Sequence, residues 1–346
     1  MKFGGFLLGK PMYFIEDQKG EGMYSKKVVV TGAAGFIGHH LCDYLLGRGY
    51  HVTGVDIKWP EFGTPEYNAF FKKDLRVWDS ELRGIFSGAD QVYALAADMG
   101  GMGFIGTGEN DQNIIWNNAM INLNTARAVA LADVPKVLFT SSACVYNQGL
   151  QAGGGDAPML KEQDAIPANP DTVYGWEKLF SEFVYGSLVG VDARAARFHN
   201  VYGPEGTWEG GREKAPAAFC RKIAVAKLTG GTEIEMWGDG EQSRSFCYIV
   251  DALAGLYSMM NVDLEDGAPR IYNIGSDRAV TMNELAEIVM RAADYNVSIK
   301  HIDGPEGVRA RNADLTLARQ YLGYESYIEL EAGIKRTYDW IEKQVK

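Results

Sequence analysis

The chain has 346 residues, with 34 Lys and Arg against 45 Asp and Glu, and a formal net charge of −11. Its 46% hydrophobic and 23% charged positions are those of an ordinary globular protein, long enough for two domains or one large α/β unit with an appended lobe. The acidic balance argues against a nucleic-acid or anionic-membrane binder, and no apolar run approaches the ~18 residues a membrane-spanning helix needs.

The first segment, Met1–Lys26, carries an apolar run (Phe3–Leu8) too short for a secretory leader, and Met12 and Met23 are alternative starts. Residues 1–25 are therefore expected to be a poorly ordered extension or a mis-called start, and no function is assigned to them. Val28–Thr31 follows as a β-branched run closed by glycine, which reads as a buried strand. Ile37, Leu41, Tyr44 and Leu45 then share one helical face, and that helix stops near Gly47–Gly49.

Between this strand and helix lies Gly32-Ala33-Ala34-Gly35-Phe36-Ile37-Gly38, a GxxGxxG turn. Glycines there permit a tight turn, close approach of a pyrophosphate and packing of helix on strand, while the helix N-terminus offers N–H groups to the phosphates. His51–Asp56 reads as the second strand, and Asp56 at its end stands where an acidic side chain accepts ribose hydroxyls and repels a 2′-phosphate. The expected cofactor is NAD rather than NADP. Asp74 either meets the adenine or is a plain loop aspartate.

Further strands are expected at Ala69–Lys73, Gln91–Ala97, Lys136–Ser142 and Ala193–Asn200, with helices between them. The alternation implies a Rossmann-type α/β fold, a doubly wound parallel sheet. After Tyr202, Gly- and Pro-rich segments separate shorter elements, although helices at Met282–Ala293 and Leu330–Gln344 are clear. The expected division is a dinucleotide domain over 26–202 and a smaller C-terminal substrate-binding α/β lobe over 203–346, with some segments returning to the first. Cys42, Cys144, Cys220 and Cys247 form no CxxC pair, so a reduced, cytoplasmic setting is expected and no metal site.

Tyr174 and Lys178 stand at i and i+4 on a helix expected to begin near Asp171. A tyrosine acting as a base near neutrality needs about 4 kcal/mol of help, since its free hydroxyl titrates near ~10. One lysine charge ~4 Å away at an effective dielectric of ~20 supplies about that much. Gly175, inside the helix, costs ~1 kcal/mol relative to Ala and hints at a close neighbour.

The order GxxGxxG, Ser141-Ser142-Ala143-Cys144-Val145-Tyr146 and YxxxK resembles the extended short-chain dehydrogenase/reductases that modify nucleotide sugars. Phe198–Pro204, Gly240–Phe246 and Tyr272–Ser276 are similar to its later motifs, so the resemblance runs over about residues 26 to 343. It implies that Tyr174 is the base at the oxidised hydroxyl, that Lys178 holds the ribose and that Ser142 bonds the reacting hydroxyl. It also implies cofactor contacts at Gly32, Gly35, Phe36, Ile37, Gly38, Asp56, Asp74, Leu95, Ala97, Met99, Tyr174 and Lys178, and a homodimer formed through helices that flank the sheet.

Three less common runs narrow the reaction. Ala96–Gly103, Gly210–Lys222 and Met236–Gly240 resemble the branch of that family that epimerises GDP-mannose at carbons 3 and 5. In that branch Cys144 and Lys214 are implied to be the acid/base pair. Read alone, Cys144 is as well explained as a small buried hydrophobe, and Lys214 as a solvated loop lysine. A thiol and an amine tunable by mutual charge suit inversion, which requires proton transfer on opposite faces. The expected product is GDP-L-galactose, with GDP-L-gulose as companion. The other readings are a 4-epimerase or 4,6-dehydratase on the same scaffold, and a non-enzymatic NAD-binding regulator.

The substrate pyrophosphate calls for basic groups in an acidic protein, and Lys222, Arg244, Arg309 and Arg311 are the candidates, with at least one of the last two expected on phosphate. Gly100, Ser142, Cys144, Asn200, Glu213, Lys214, Ala215 and Gln242 complete the expected substrate contacts.

Overall fold

The computed structural model describes residues 26–63, 65–153 and 157–346; the N-terminal extension over 1–25 lies outside them. Strand β1 (Lys27–Thr31) carries Val28, Val29 and Val30, all buried. Val28 and Val30 enter one core while Val29 enters another, because successive side chains point to opposite faces and both faces are covered. Helix α1 (Phe36–Leu46) lays Leu41, Cys42 and Leu45 on the first of these faces.

Strand β2 (His51–Asp56) and β3 (Ala69–Lys72) extend the sheet on one side of β1, and α2 (Glu81–Phe86) lies on the second face. Strand β4 (Gln91–Ala94) lies on the other side of β1 and ends three residues earlier than its sequence suggests. Beyond it the Leu95 amide is shared between the Thr31 carbonyl and hydroxyl, and the Ala96 amide donates to that hydroxyl. A short helix α3 (Met102–Ile105) and the long α4 (Asp111–Leu131) follow.

Helix α4 buries three asparagines, each with a partner. Asn118 accepts from the Asp98 amide, Asn122 donates to Glu177 and Asn124 donates to the Leu75 carbonyl. A buried amide is tolerated on such terms. Strand β5 (Lys136–Ser142), α5 (Val173–Gly186), β6 (Asp192–Phe198) and the short β7 (Val201–Tyr202) complete the first part.

Beyond it come α6 (Ala215–Thr229), β8 (Glu233–Trp237), β9 (Ser243–Ser245), β10 (Cys247–Tyr248), α7 (Ile249–Asn261) and β11 (Ile271–Ile274). The last elements are β12 (Ala279–Thr281), α8 (Met282–Ala293), β13 (Ser298–Ile302), β14 (Ala310–Arg311), α9 (Thr316–Leu322) and α10 (Leu330–Val345). Seven strands form one sheet in the order β11-β6-β5-β4-β1-β2-β3, every pair parallel. Strand order reverses between β1 and β4, and the crevice at such a switch point is where open α/β sheets bind ligands.

Strand β11 and helix α7 come from the second half of the chain yet belong to the sheet and its α1 face. The remaining elements form a lobe in which α6, α8 and α10 pack together beside the small sheets β12-β9-β14 and β13-β8. Helix α8 is closed by a capping box between Thr281 and Glu284.

Candidate active site

Backbone builds the first half of the site. Gly32 sits at φ +71 and donates to the Val55 carbonyl at 2.9 Å, and Gly35 donates back to Gly32 O at 3.0 Å. A Cβ on Gly38 would stand 2.0 Å from Gly32 O, and one on Gly32 would stand 2.8 Å from Ala96 N. Only glycine fits either position. Asp56 closes β2 and is nearly buried, with Oδ2 accepting from Ala34 N at 3.0 Å and Oδ1 from Lys58 N at 3.1 Å.

Phe36 and Ile37 form the first turn of α1, whose N-cap residue Gly35 makes no side-chain cap, so backbone N–H groups there are left to a ligand. Leu95, Ala97 and Met99 line the segment leaving β4, on the other wall of the crevice. These features fit a dinucleotide: a cradle that a Cβ would fill, a helix N-terminus, and a carboxylate at the end of the second strand. Asp74 is differently engaged, because the Arg76 guanidinium grips it at 2.6–3.1 Å and holds its carboxyl below the usual range.

The second half is built from side chains. Thr172 caps α5 by accepting from Gly175 N at 3.2 Å. Gly175 is pressed on the turn after β5, where a Cβ would lie 2.1 Å from Cys144 O, which explains a glycine in the helix interior. That contact seats α5 so that Tyr174 faces Ser142, the last residue of β5, whose hydroxyl acts to lower the Tyr174 pKa. Lys178 is buried one turn on, its Nζ donating to Thr140 O at 2.9 Å and lying 5.7 Å from the centre of the Tyr174 ring.

Burial dominates both groups. It raises Tyr174, with the negative charges of Cys144 and Glu177 adding and the Ser142 bond opposing, and it lowers Lys178. The lysine is thus a weaker aid to the phenolate than a fully solvated ammonium would be, because it is itself desolvated.

Cys144 lies in a 3-10 turn (Ala143–Val145), its amide donating to Ser142 Oγ at 3.2 Å. Arg311, on β14, donates from Nη1 to Cys144 Sγ at 3.1 Å. The same guanidinium donates to Gln151 Oε1 at 2.6 Å and Asp171 Oδ2 at 3.2 Å. Burial alone lowers Arg311, but Cys144 and Asp171 outweigh it and leave it raised. Arg311 is therefore committed to the thiol inside the protein. Nothing in the sequence signals this, since the two residues lie 167 positions apart.

Lys214 caps α6 and is lowered by burial, against which the charge of Cys144 acts. Its segment is docked on the loop after β4: Gly101 N donates to Arg212 O at 2.9 Å, and a Cβ on Gly101 would stand 2.3 Å from Glu213 O. Arg212 pairs with Asp98 at 2.8 Å and covers the Phe104 ring. Glu213 accepts from Gly211 N and from Arg221, both at 2.7 Å, while Ala215 opens α6. Gly100 packs on Phe104. Trp237 reaches Gly103 and Gly304, so the three runs singled out in the sequence meet in space.

The remaining basic candidates are spread around this cluster. Arg244 donates to the Ser243, Glu306 and Val308 carbonyls, and burial, with the charge of Arg311, lowers it. Arg309 pairs with Asp239 at 2.7 Å, and Lys222 donates to Glu235 O at 2.6 Å. Gln242 is buried and donates to Trp237 O, but its Oε1 has no partner among the described residues. Asn200, held at φ +46, donates to Ser245 O at 2.9 Å. Gln151, Asp171 and Thr140 are site residues that the sequence did not reveal.

Residues 28–275 match the NAD dependent epimerase/dehydratase family. The chain is 43% identical to GDP-mannose 3,5-epimerase 1 of Oryza sativa subsp. japonica over 325 residues, 92% of this chain and 82% of that one. It is 42% identical to GDP-mannose 3,5-epimerase of Arabidopsis thaliana, again over 92% of this chain and 83% of the relative. Among solved structures, MoeE5 in complex with UDP-glucuronic acid and NAD superimposes with a TM-score of 0.77 at 26% identity, covering 92% of this chain and 99% of that one. The UDP-glucose 4-epimerase of Thermotoga maritima with UDP-glucose gives 0.77 at 25% identity, covering 92% and 100%. With a parallel sheet carrying the glycine turn at its switch point and a match over most of its length, the chain belongs to the NAD dependent epimerase/dehydratase family.

Proposed function

We propose that this chain is an NAD-dependent isomerase that inverts carbons 3 and 5 of GDP-mannose, giving GDP-L-galactose with GDP-L-gulose as the single-inversion companion. The observation that carries the reading is Cys144, held by Arg311 at 3.1 Å on the turn beside Ser142 and Tyr174, with Lys214 coupled to it by charge. The 42–43% identity to GDP-mannose 3,5-epimerases of rice and Arabidopsis supports it.

The glycine turn, Asp56 and Lys178 would hold NAD, which supplies reversible oxidation at sugar carbon 4. Tyr174 takes the proton of the carbon-4 hydroxyl, and Ser142 orients that oxygen by a hydrogen bond. A carbonyl at carbon 4 acidifies the hydrogens on carbons 3 and 5. Cys144 and Lys214 then remove a proton from one face and return one to the other, as inversion requires. Ser142 and Tyr174 donate to the enolate oxygen as charge grows on it. Arg311 steadies the sulfur whenever it carries charge. Arg244, Arg309 and Lys222 are the groups for the pyrophosphate, and Gln242 Oε1, buried without a partner, is an acceptor for a nucleotide donor.

The assembly we propose is a homodimer. Helices α4 and α5 pack side by side and expose Trp116, Met120 and Leu123 on one and Trp176, Phe180 and Phe183 on the other. Both triplets repeat at i, i+4 and i+7, so each helix bares an apolar stripe that a second copy covers about a two-fold axis. Four free, buried cysteines suit a reducing, cytoplasmic setting.

The test is proton NMR of GDP-mannose in heavy water with the protein and catalytic NAD. Deuterium at carbons 3 and 5 with galactose-type signals is the expected result. A stable 4-keto-6-deoxy sugar would make the chain a dehydratase. Inversion at carbon 4 without exchange of carbon-bound hydrogen would make it a 4-epimerase.

A further inference from the structure

On the far side of the glycine turn from the thiol, α1 carries two adjacent histidines that face one carboxylate. His39 Nδ1 lies 2.9 Å from Gly35 O, and His39 Nε2 lies 3.0 Å from Glu205 Oε2. A carbonyl only accepts, so Nδ1 carries a ring proton and Nε2 is the atom turned toward the carboxylate. What joins Nε2 and the carboxylate oxygen across 3.0 Å is either a second ring proton or a metal ion. His40 joins from the next position, its Nε2 3.7 Å from the same Glu205 oxygen and 3.1 Å from Pro204 O.

We propose that His39, His40 and Glu205 form a binding site for a divalent transition cation of the zinc class. One ligand atom from each of the three lies within 4.8 Å of the other two. A tetrahedral ion with bonds of about 2.0–2.1 Å sets its ligand atoms roughly 3.3 Å apart, and the two nitrogen–carboxylate separations of 3.0 and 3.7 Å bracket that value. Two imidazoles and one carboxylate select zinc, cobalt or nickel over magnesium or calcium. A ligating histidine that donates its other N–H to a backbone carbonyl, as His39 does to Gly35, is the usual outer-shell arrangement.

Two backbone features shape the place. Glu205 is held at φ +62, a left-handed conformation that side-chain-bearing residues seldom adopt, and this aims its carboxylate back at α1. Gly63, at φ +64, leaves open the space in which a Cβ would stand 3.2 Å from His39 Cδ2 and 3.6 Å from Glu205 Oε2. Glu205 is one-third exposed and His40 one-fifth, so a hydrated ion can enter and water can complete the shell.

The bound cation ties the first turn of α1, where the dinucleotide cradle is made, to the turn after β7. Gly203 and Gly206 of that turn already rest on Phe36. His40 exchanges its bond to Pro204 O for the ion. No spacing rule marks the site in the sequence, because neighbouring helical residues normally diverge and Glu205 is 166 positions from His39.

The experiment is calorimetric titration of ZnCl2 into tag-free, EDTA-stripped protein, with CoCl2 absorption and thermal melts in parallel. The expected result is one equivalent of zinc, visible cobalt bands of a tetrahedral nitrogen–oxygen site, and a raised melting temperature. His39→Asn and Glu205→Gln should each weaken that equivalent at least 10-fold, while Cys144→Ala keeps it. Melts of each variant in EDTA, compared with the parent in EDTA, separate lost binding from lost folding, and His40→Asn replaces either variant that does not fold. Three outcomes overturn the proposal: no cation bound, so that a second proton on His39 meets Glu205; equal binding by His39→Asn and Glu205→Gln; or loss of binding in Cys144→Ala.

Discussion

Between Val30 and Asp56 the cofactor cradle is made almost wholly of main chain: a glycine at positive φ, two positions where a Cβ would strike backbone, and one carboxylate received by two amides. Around Cys144 the arrangement is reversed. Side chains from β5's turn, α5, the start of α6 and β14 converge there, and the thiol is held by an arginine distant in sequence. A backbone-made site is local, so it is written in a dozen consecutive residues. A side-chain-made site is written across the chain, and it depends on the packing that brings its pieces together.

The comparison breaks most decisively at the proton-transfer groups. Lys214→Met should leave the cradle intact, with NAD affinity unchanged, and cut exchange at the sugar carbons by about 10³-fold, within the range for loss of a general acid or base. Burial lowers the Lys214 pKa, so its neutral amine predominates from a pH below the ordinary 10.5. Exchange measured against pH should therefore change along a limb lying below that value, and the limb should vanish in Lys214→Met. A limb unchanged by the substitution would remove Lys214 from the chemistry.

At the cradle the expected failure is of another kind. A Cβ on Gly38 meets Gly32 O at 2.0 Å with backbone on both sides, so neither can yield cheaply. Gly38→Ala should cost about 3 kcal/mol in urea unfolding and lose NAD binding together with it. Cofactor affinity and stability move together here, whereas Lys214→Met separates activity from both.

The same contrast governs what the sequence disclosed. His51–Asp56, Lys136–Ser142 and Met282–Ala293 have the ends expected for them, because alternation, glycine stops and a capping box are local signals. Gly175 announced a close neighbour, which is the Cys144 carbonyl. The over-long expectation for β4 came from Leu95–Ala97, apolar residues of which the first two turn their amides to the Thr31 hydroxyl. Asn118, Asn122 and Asn124 look like surface residues until their partners on other elements are known. The grip of Arg311 on Cys144, with Gln151 and Asp171 behind it, was invisible for the same reason. Asp74 pairs with Arg76, and Arg309, proposed for the pyrophosphate, is meanwhile paired with Asp239.

Arg311→Lys sharpens the distinction at smaller scale. One ammonium cannot reach Cys144, Gln151 and Asp171 along the fork that the guanidinium uses, so the thiol loses its fixed donor while the charge stays. Exchange should fall about 10- to 100-fold, mainly in kcat, with folding little changed. A rise in KM alone would instead assign Arg311 to substrate affinity.

The smallest effect is expected at Asp56, the one side chain that completes the backbone cradle. Its Oδ2 receives Ala34 N and its Oδ1 receives Lys58 N, so the carboxylate both braces the turn and stands ready for the ribose hydroxyls. Asn in its place keeps one acceptor, turns a donor toward the other amide, and removes the charge that repels a 2′-phosphate. NAD binding should weaken by about 1–2 kcal/mol, as for loss of a hydrogen bond to a charged group. The preference for NAD over NADP, read as the ratio of their dissociation constants, should narrow at the same time. Because neither Cys144 nor Lys214 touches this residue, saturating NAD should restore the exchange rate in Asp56→Asn. If saturation fails to restore it, the two halves of the site are coupled, and the division between a backbone cradle and a side-chain centre does not hold.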